Sequence, residues 1–534
     1  MTLDSPRGAG SAPDSLDAAG PAKAAARTID VTALIDGGEI GRFQYRTLAL
    51  CMCVLFLDGY DTQAVGYAAP ALVPALHIDK SSMAWVFAIS LVGLMLGACI
   101  FGPLADRFGR KKLVILTTLL FGIFSIATAT TTSLEGLLVM RFLTGCGLGR
   151  AMPNAVSLSV DYFPRKLRAT TVSIVFVGFT IGAAIGGYLA AVMLPVFGWQ
   201  SVFYVGGIAP LVLVPVLVIG LPESIRLLIL HGSRSAEIAR NLSKIAPGRS
   251  FAGAITFTAS EENQAGIPVK HLFTAGRAPG TLLIWVVFFL SLLVTFLLAS
   301  WMPIVINSTG ISVERAVGAT ATLQLGAIVG TLGVGRLMDE FNPYTVLTTA
   351  FILAGISTAA LTTISAGMPY LLILALIFVA GALLGAGGTQ GANALAGSYY
   401  PTYIRSTGLG WALGIGRIGA IVGTLLGGVL VTLKWGLQAV FFVSALAGSP
   451  LGAGARLDAR ARAGRASGRG FPVARDVRDL HQRRLHPVQR DELKFPHGLW
   501  QVVETFPEAL EVHGEADAFF GRLKDDESRR LPRT

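Results

Sequence analysis

Apolar residues in this chain come in long unbroken blocks. Such blocks occupy 45–67, 83–104, 113–131, 136–159, 169–193, 201–221, 281–303, 316–338, 345–366, 370–396 and 407–432. Each is long enough to cross a bilayer as a helix rising 1.5 Å per residue. A last apolar piece, 435–447, is too short to span. The pattern predicts an all-α polytopic membrane protein. It also sets a domain plan. Residues 1–44, rich in Ala, Asp, Gly, Pro and Ser, read as a disordered arm without the apolar core of a signal peptide. A first membrane half runs over 45–221 and a polar central loop over 222–280. A second membrane half covers 281–447 and an atypical basic tail 448–534.

The two halves echo each other. Gly102-Pro103-Leu104-Ala105-Asp106-Arg107-Phe108 after the second block resembles Gly335-Arg336-Leu337-Met338-Asp339-Glu340-Phe341 after the eighth. Tyr162-Phe163-Pro164 with Arg168 resembles Tyr400-Pro401 with Arg405. The fifth block carries Gly178, Gly182, Gly186 and Gly187; the eleventh carries Gly419, Gly423, Gly427 and Gly428 at the same spacing. A parallel duplication of six spans around a central cavity follows. The glycine rows predict close helix approach.

Composition agrees: 53% of residues are hydrophobic and 14% charged, against about 25% charged in soluble domains. The net charge of +11 does not point to nucleic acid, because it sits in loops on one side and in the tail. Arg107, Arg110, Lys111 and Lys112 follow the second block, and Arg165, Lys166 and Arg168 the fourth. The opposite connections hold only Lys80, Arg315 and Lys434. Cationic loops stay inside, so the N-terminus and central loop are expected in the cytoplasm. Cys51, Cys53, Cys99 and Cys146 lie within apolar blocks and read as packing residues. No metal, cofactor or catalytic set is expected.

The costliest feature is Asp58 and Asp61 inside the first block, at roughly 2.5–3.5 kcal/mol each on insertion scales. Three residues apart, they share a helix face. Mutual repulsion away from water lets at least one hold a proton. They read as a proton site on a water-filled path; placement at the membrane edge, or neutralisation by an arginine for packing alone, is the other reading.

Gly102-Pro103-Leu104-Ala105-Asp106-Arg107-Phe108-Gly109-Arg110-Lys111-Lys112 resembles the loop signature of the Major Facilitator Superfamily. Asp58-Gly59-Tyr60-Asp61, Met152-Pro153-Asn154-Ala155, Leu221-Pro222-Glu223-Ser224, Tyr400-Pro401-Thr402 with Arg405, and Gly410-Trp411-Ala412-Leu413-Gly414-Ile415-Gly416-Arg417-Ile418-Gly419 are similar to its aromatic acid:proton symporter family. The resemblance covers residues 45 to about 447. It implies two six-helix halves, here with the twelfth helix apparently truncated. It also implies proton-driven import of benzoate, hydroxybenzoate or protocatechuate-like acids across a bacterial inner membrane, by a chain expected to be a monomer in the lipid bilayer. An exporter or antiporter of organic acids or drugs, and a sensor without turnover, are the alternatives.

An organic anion needs a cation in the membrane, and arginine binds carboxylates bidentately. Arg141 reads as a partner of the acids or a snorkelling residue. Arg417 reads as a substrate or gating group in the cavity, and Arg405 as a gating or topogenic charge. Arg150 departs from the family pattern, which has a small residue there. It reads as a second anion anchor, or as an error or damaging change. Gln390, Asn393 and Trp301, with Gln324 and Tyr399 nearby, could bind substrate or serve helix packing. For the loop, Gly102 and Gly109 permit a tight turn, and Asp106 can pair with basic groups or cap a helix. Arg107 and Arg110 are expected to reach Asp161 and latch the outward-facing state, as the resemblance implies, or only to fix topology. From Gly452 to Arg475 the chain is crowded with Arg, Ala and Gly. It reads as a frameshifted GC-rich sequence or a genuine basic extension; sequencing the locus decides.

Overall fold

The computed structural model describes residues 27–231, 235–247, 251, 255–258, 269–274, 276–387, 389–401 and 404–433. The expected cut-off twelfth helix and the basic tail lie outside them. Sixteen α-helices are described: α1 (Val31–Asp36), α2 (Arg42–Ala75), α3 (Met83–Phe108), α4 (Arg110–Ala129), α5 (Leu134–Leu148), α6 (Ala151–Asp161), α7 (Arg168–Phe197), α8 (Gln200–Gly220), α9 (Ile225–His231), α10 (Ser235–Ile245), α11 (Ala278–Asn307), α12 (Val313–Glu340), α13 (Pro343–Ala360), α14 (Tyr370–Gly387), α15 (Thr389–Tyr399) and α16 (Arg405–Thr432). Nine of the described helices are long and apolar enough to cross a membrane.

The fourth and tenth blocks differ from the sequence reading, because each is two helices. α5 ends at Leu148 and α6 begins at Ala151. Pro153 has no N–H to give the carbonyl of Gly149, and its ring crowds that carbonyl. The ladder resumes with Asn154 N donating to Arg150 O at 3.2 Å. The tenth block divides between Gly387 and Thr389, in a glycine-rich run.

Packing repeats the duplication. α2 lies on α7 as α11 lies on α16, and α3 on α5 as α12 on α14. The glycine rows make these approaches. A Cβ on Gly182 would fall 1.9 Å from the Phe56 carbonyl oxygen, and one on Gly419 would fall 2.2 Å from that of Phe289. Any side chain there would push the helices apart. Across the halves, α3 meets α16 and α7 meets α12.

The core is divided unevenly. One buried cluster joins both halves at the end holding Leu72, Met83, Trp199, Ile306, Ile311 and Ile364. At the other end, which carries Arg110 and Arg165, each half has its own cluster. The first half gathers Val54, Leu158, Tyr162 and Ile225, while the second gathers Leu272, Phe288, Phe351 and Tyr400. The halves thus share a core at one end only.

Within the arm, residues 27–36 carry secondary structure, where the sequence reading expected none. Arg27–Asp30 forms strand β1, paired in parallel with Ile255–Thr258, strand β2, from the central loop. The Asp30 side chain caps α1 by accepting from Thr32 N at 2.8 Å. Val31 and Ile35 are buried with Ile238, Leu242 and Ile245 of α10. Asp36 accepts from Arg165 N at 2.7 Å and pairs with its Nε at 3.3 Å. A four-residue strand whose partner lies over two hundred residues away leaves no local pattern to read.

Candidate functional site

The acids lie deep in α2: Asp58 is 2% exposed and Asp61 fully buried. Gly59 between them lets α2 seat against α7, where a Cβ would strike the Phe179 carbonyl. Their surroundings differ. Asp61 Oδ2 accepts from Arg141 Nη2 at 2.9 Å and Oδ1 from Nη1 at 3.4 Å. Ser125 Oγ donates to Oδ1 at 2.8 Å. Arg141 is itself 1% exposed, with its guanidinium 5.6 Å from the Phe203 ring centre. A buried, hydrogen-bonded pair of this kind is fixed, because removing either member strands the other charge.

Among the described residues Asp58 has no such partner. Its carboxylate accepts from Thr62 Oγ1 at 3.3 Å, one turn along the helix. It lies in the fields of Asp61 and of Arg417 from α16. Arg417 is half-buried, and no hydrogen bond or ion pair holds it among the described residues. Asp58 and Arg150 both act on it electrostatically. Arg150 stands at the break between α5 and α6. Its guanidinium lies over Gly102, 3.6 Å from where a Cβ would be. The structure therefore brings Asp58, Arg417 and Arg150 into one electrostatic group, beside the separate Asp61–Arg141 pair.

A narrow cleft between the halves lies against the ion pair. Val65, Phe87, Leu91 and Phe296 give it apolar walls; Thr62, Ser90, Ser300 and Arg141 supply its polar groups. The lining is of the mostly apolar kind, with a few polar groups, that small-molecule sites use. Sequence reasoning missed Phe87, Ser90, Phe296 and Ser300, since a lone hydroxyl or ring in an apolar run carries no periodic signal.

Of the two roles open to Trp301, the contacts seen are those of helix packing. The side chain is fully buried, donates from Nε1 to Thr424 O at 2.9 Å, and sits edge-on to Phe87 at 5.5 Å. These contacts pack α11 against α16 and α3. Asn393 is half-buried on α15; the side chain of Gln390 lies outside the described residues. Tyr399 donates to Arg277 O at 3.0 Å.

The basic loop forms a second cluster. Asp161 pairs with Arg110 Nη1 at 3.0 Å and Arg226 Nε at 3.1 Å, and accepts from Ser224 Oγ. Glu223 Oε1 accepts from Lys111 N at 3.1 Å and Ser224 N at 2.9 Å. Gly109 turns at φ 109°, and a Cβ there would lie 2.3 Å from the Glu223 carboxylate. The expectation for Arg107 is not met: it is exposed, 5.5 Å from the Phe108 ring centre, and among the described residues it makes no ion pair. Arg226 and Ser224 take the place on Asp161 that the sequence reading gave to Arg107. These groups come from the first half and the start of the central loop, so the cluster ties α4, α6 and α9 together and does not reach the second half. The Asp106 side chain lies outside the described residues. Arg405 is exposed and donates from Nε to Tyr400 O at 3.3 Å.

Two duplicated bundles sharing a core at one end, with a buried ion pair between α2 and α5, have the architecture of a secondary transporter. The Major Facilitator Superfamily profile matches residues 51–389 and again 284–475, and the chain belongs to that superfamily. Solved structures agree on the fold. A D-xylose-proton symporter superposes with a TM-score of 0.60 at 16% identity, covering 77% of this chain and 97% of that one.

Within the superfamily the chain belongs with the transporters of aromatic acids. It is 40% identical to the 4-hydroxybenzoate transporter PcaK of Pseudomonas aeruginosa over 79% of this chain and 93% of the relative. It is 39% identical to a gallate transporter of Pseudomonas putida, over 77% and 91%. It is 38% identical to a 3-(3-hydroxy-phenyl)propionate transporter of Escherichia coli, over 75% and 90%. These are carriers and not enzymes.

Proposed function

We propose that the chain imports an aromatic carboxylate together with protons, and that Asp58 and Arg417 couple the two. The observation carrying this reading is the contrast between the acids. Asp61 is held by Arg141 and Ser125, whereas Asp58 faces the field of an arginine from the other half without a direct bond. While Asp58 is ionised, its charge offsets that of Arg417. A proton on Asp58 removes that offset and leaves Arg417 to bind a carboxylate bidentately. Proton and anion then favour each other, which is the requirement for symport. Arg141 and Asp61 bond to each other and hold α2 against α5.

The halves move as the coupled element. Separate cores at the Arg110 end suit a state open on that side. The excess of Lys and Arg there argues for the cytoplasm, and so for an inner membrane orientation with the N-terminus inside. Rocking of the halves alters the Asp58–Arg417 relation, which crosses between them, and spares Asp61–Arg141, which does not. The acid class follows from the relatives' names and from the apolar cavity with its few hydroxyls.

Proteoliposomes with an imposed pH gradient test the reading. Radiolabelled 4-hydroxybenzoate should accumulate above equilibrium when the gradient is inward, and a protonophore should end it. Accumulation that ignores the gradient, or runs outward, would refute symport.

A further inference from the structure

Several threonines in the membrane helices spend their hydroxyls on the backbone carbonyl one turn back. Thr47 donates to Phe43 O at 2.9 Å, Thr144 to Met140 O at 2.8 Å and Thr320 to Ala316 O at 2.9 Å. Thr62 departs from this habit. It stands at the same spacing from Asp58, but its Oγ1 donates to the side-chain oxygen Oδ1, at 3.3 Å.

That bond joins two places that differ in access. Asp58 is 2% exposed and does not line the cleft beside the Asp61–Arg141 pair. Thr62 is half-buried and does line it. Asp58, Thr62 and Gly66 follow one another at four-residue steps, so they share a face of α2. Thr62 and Gly66 both belong to the cleft wall. The row leads from Asp58 toward Leu72, in the core that the halves share, and the proposed orientation puts that end outside. One step is about 6 Å along the helix axis, so the Thr62 hydroxyl spans the gap between an enclosed acid and the cleft. The cleft also suits water. Ser90, Ser300 and Arg141 line it together with Thr62, and a water held inside a protein uses about three polar partners. The charged groups around Asp58 are no substitute for the hydroxyl. Asp61 is bonded to Arg141 and Ser125, and the guanidinium of Arg417 has no proton to give up.

We propose that Thr62 is the relay through which Asp58 takes its proton from the cleft. A hydronium in the cleft gives a proton to Thr62 Oγ1 while Thr62 passes its own to Asp58 Oδ1. The hydronium becomes water, the threonine ends with one hydroxyl proton, and the carboxylate becomes a neutral acid. At 3.3 Å the bond is longer than the about 2.7–2.8 Å usual between such oxygens, and bonds of this kind tighten as transfer begins. The proposal rests on the reading of Asp58 as the proton site. Thr62 takes no part in holding the anion.

The test uses the full-length protein in proteoliposomes, with Thr62→Val, which keeps the shape and removes the hydroxyl, and Thr62→Ser, which keeps the hydroxyl. Net uptake of 4-hydroxybenzoate driven by a pH gradient requires Asp58 to load and unload in every cycle. Exchange of labelled for unlabelled acid at equal pH does not, because the loaded carrier moves back and forth with its proton in place. Thr62→Val should slow net uptake about a hundredfold, the lower end of what a positioned proton-transferring group supplies, while exchange and affinity hold. Thr62→Ser should restore most of the rate. Net uptake at the parent rate in Thr62→Val overturns the relay. So does equal slowing in both variants, or a joint fall of net uptake and exchange, which marks a packing role. Asp58→Asn, with Thr62 intact, tests the reading beneath: gradient-driven accumulation in that variant overturns the proton site itself, and the relay with it. Should Thr62→Val fail to fold, Thr62→Ala is read by the same two assays.

Discussion

The first half of the molecule keeps its charges inside the bundle, and the second half has almost none there. α2 carries Asp58 and Asp61, and α5 carries Arg141. Their counterparts by duplication, α11 and α14, contain no Asp, Glu, Lys or Arg, and neither do α13 and α15. Arg417 on α16 is the second half's charge in mid-helix. The basic ends differ likewise. Asp161 gathers Arg110, Arg226 and Ser224 in the first half; in the second, Tyr399 and Tyr400 stack edge to face at 5.2 Å, and Arg405 meets a backbone carbonyl. One backbone plan thus holds two electrostatic designs. The lesson is mechanical. An ion pair contained in one half survives relative movement of the halves, whereas an interaction between halves reports that movement.

The largest expected effect comes from erasing the cross-half interaction. Asp58→Asn should abolish gradient-driven accumulation while anion binding persists, because Arg417 is then permanently available. Uptake with and without a pH gradient, beside direct binding, separates the two. Arg417→Ala should raise the half-saturation concentration at least about tenfold, the loss of a charged hydrogen-bonded anchor being worth about 1.5–3 kcal/mol. An unchanged profile would remove Arg417 from the site.

Breaking the contained pair should act on folding. Arg141→Ala leaves Asp61 buried without its partner, at about 3–5 kcal/mol. Thermal unfolding in detergent should show a clear drop, and Arg141→Gln with Asp61→Asn should recover part of it. If Arg141→Ala is as stable as the parent, the pair is not the fixed element described. Asp161→Asn should be milder, about 1.5–3 kcal/mol, since Arg110 and Arg226 are partly solvated at 22% and 30%. Smallest of all, Asp36→Ala removes an exposed pair with Arg165, 53% and 33% accessible. It should change stability by less than about 1 kcal/mol.

Much of this was legible before the fold. Hydropathy located the spans, and repeated glycines marked the helix contacts at Gly182 and Gly419. Asp58 and Asp61 announced themselves through the cost of burying acids. The division of labour between them was not legible, because Arg141 and Ser125 reach Asp61 from helices far along the chain. The break at Gly149 escaped notice since hydropathy runs through it unchanged, although Pro153 marked it. The role of Trp301 stayed open in sequence because an aromatic residue beside a glycine row fits a ligand or a neighbouring helix equally well. Arg107 and Arg110 look alike in sequence; only the turn at Gly109 sends one to Asp161 and the other to solvent. Ser300 offered no signal, being one hydroxyl in an apolar helix.

The central claim is that a proton on Asp58 releases Arg417 for the carboxylate. Proton uptake on binding, followed in weakly buffered solution with the purified protein and 4-hydroxybenzoate, tests it directly. Binding should draw protons from solution in the parent and draw none in Asp58→Asn. Binding by the parent without proton uptake, or uptake that persists in Asp58→Asn, would contradict it.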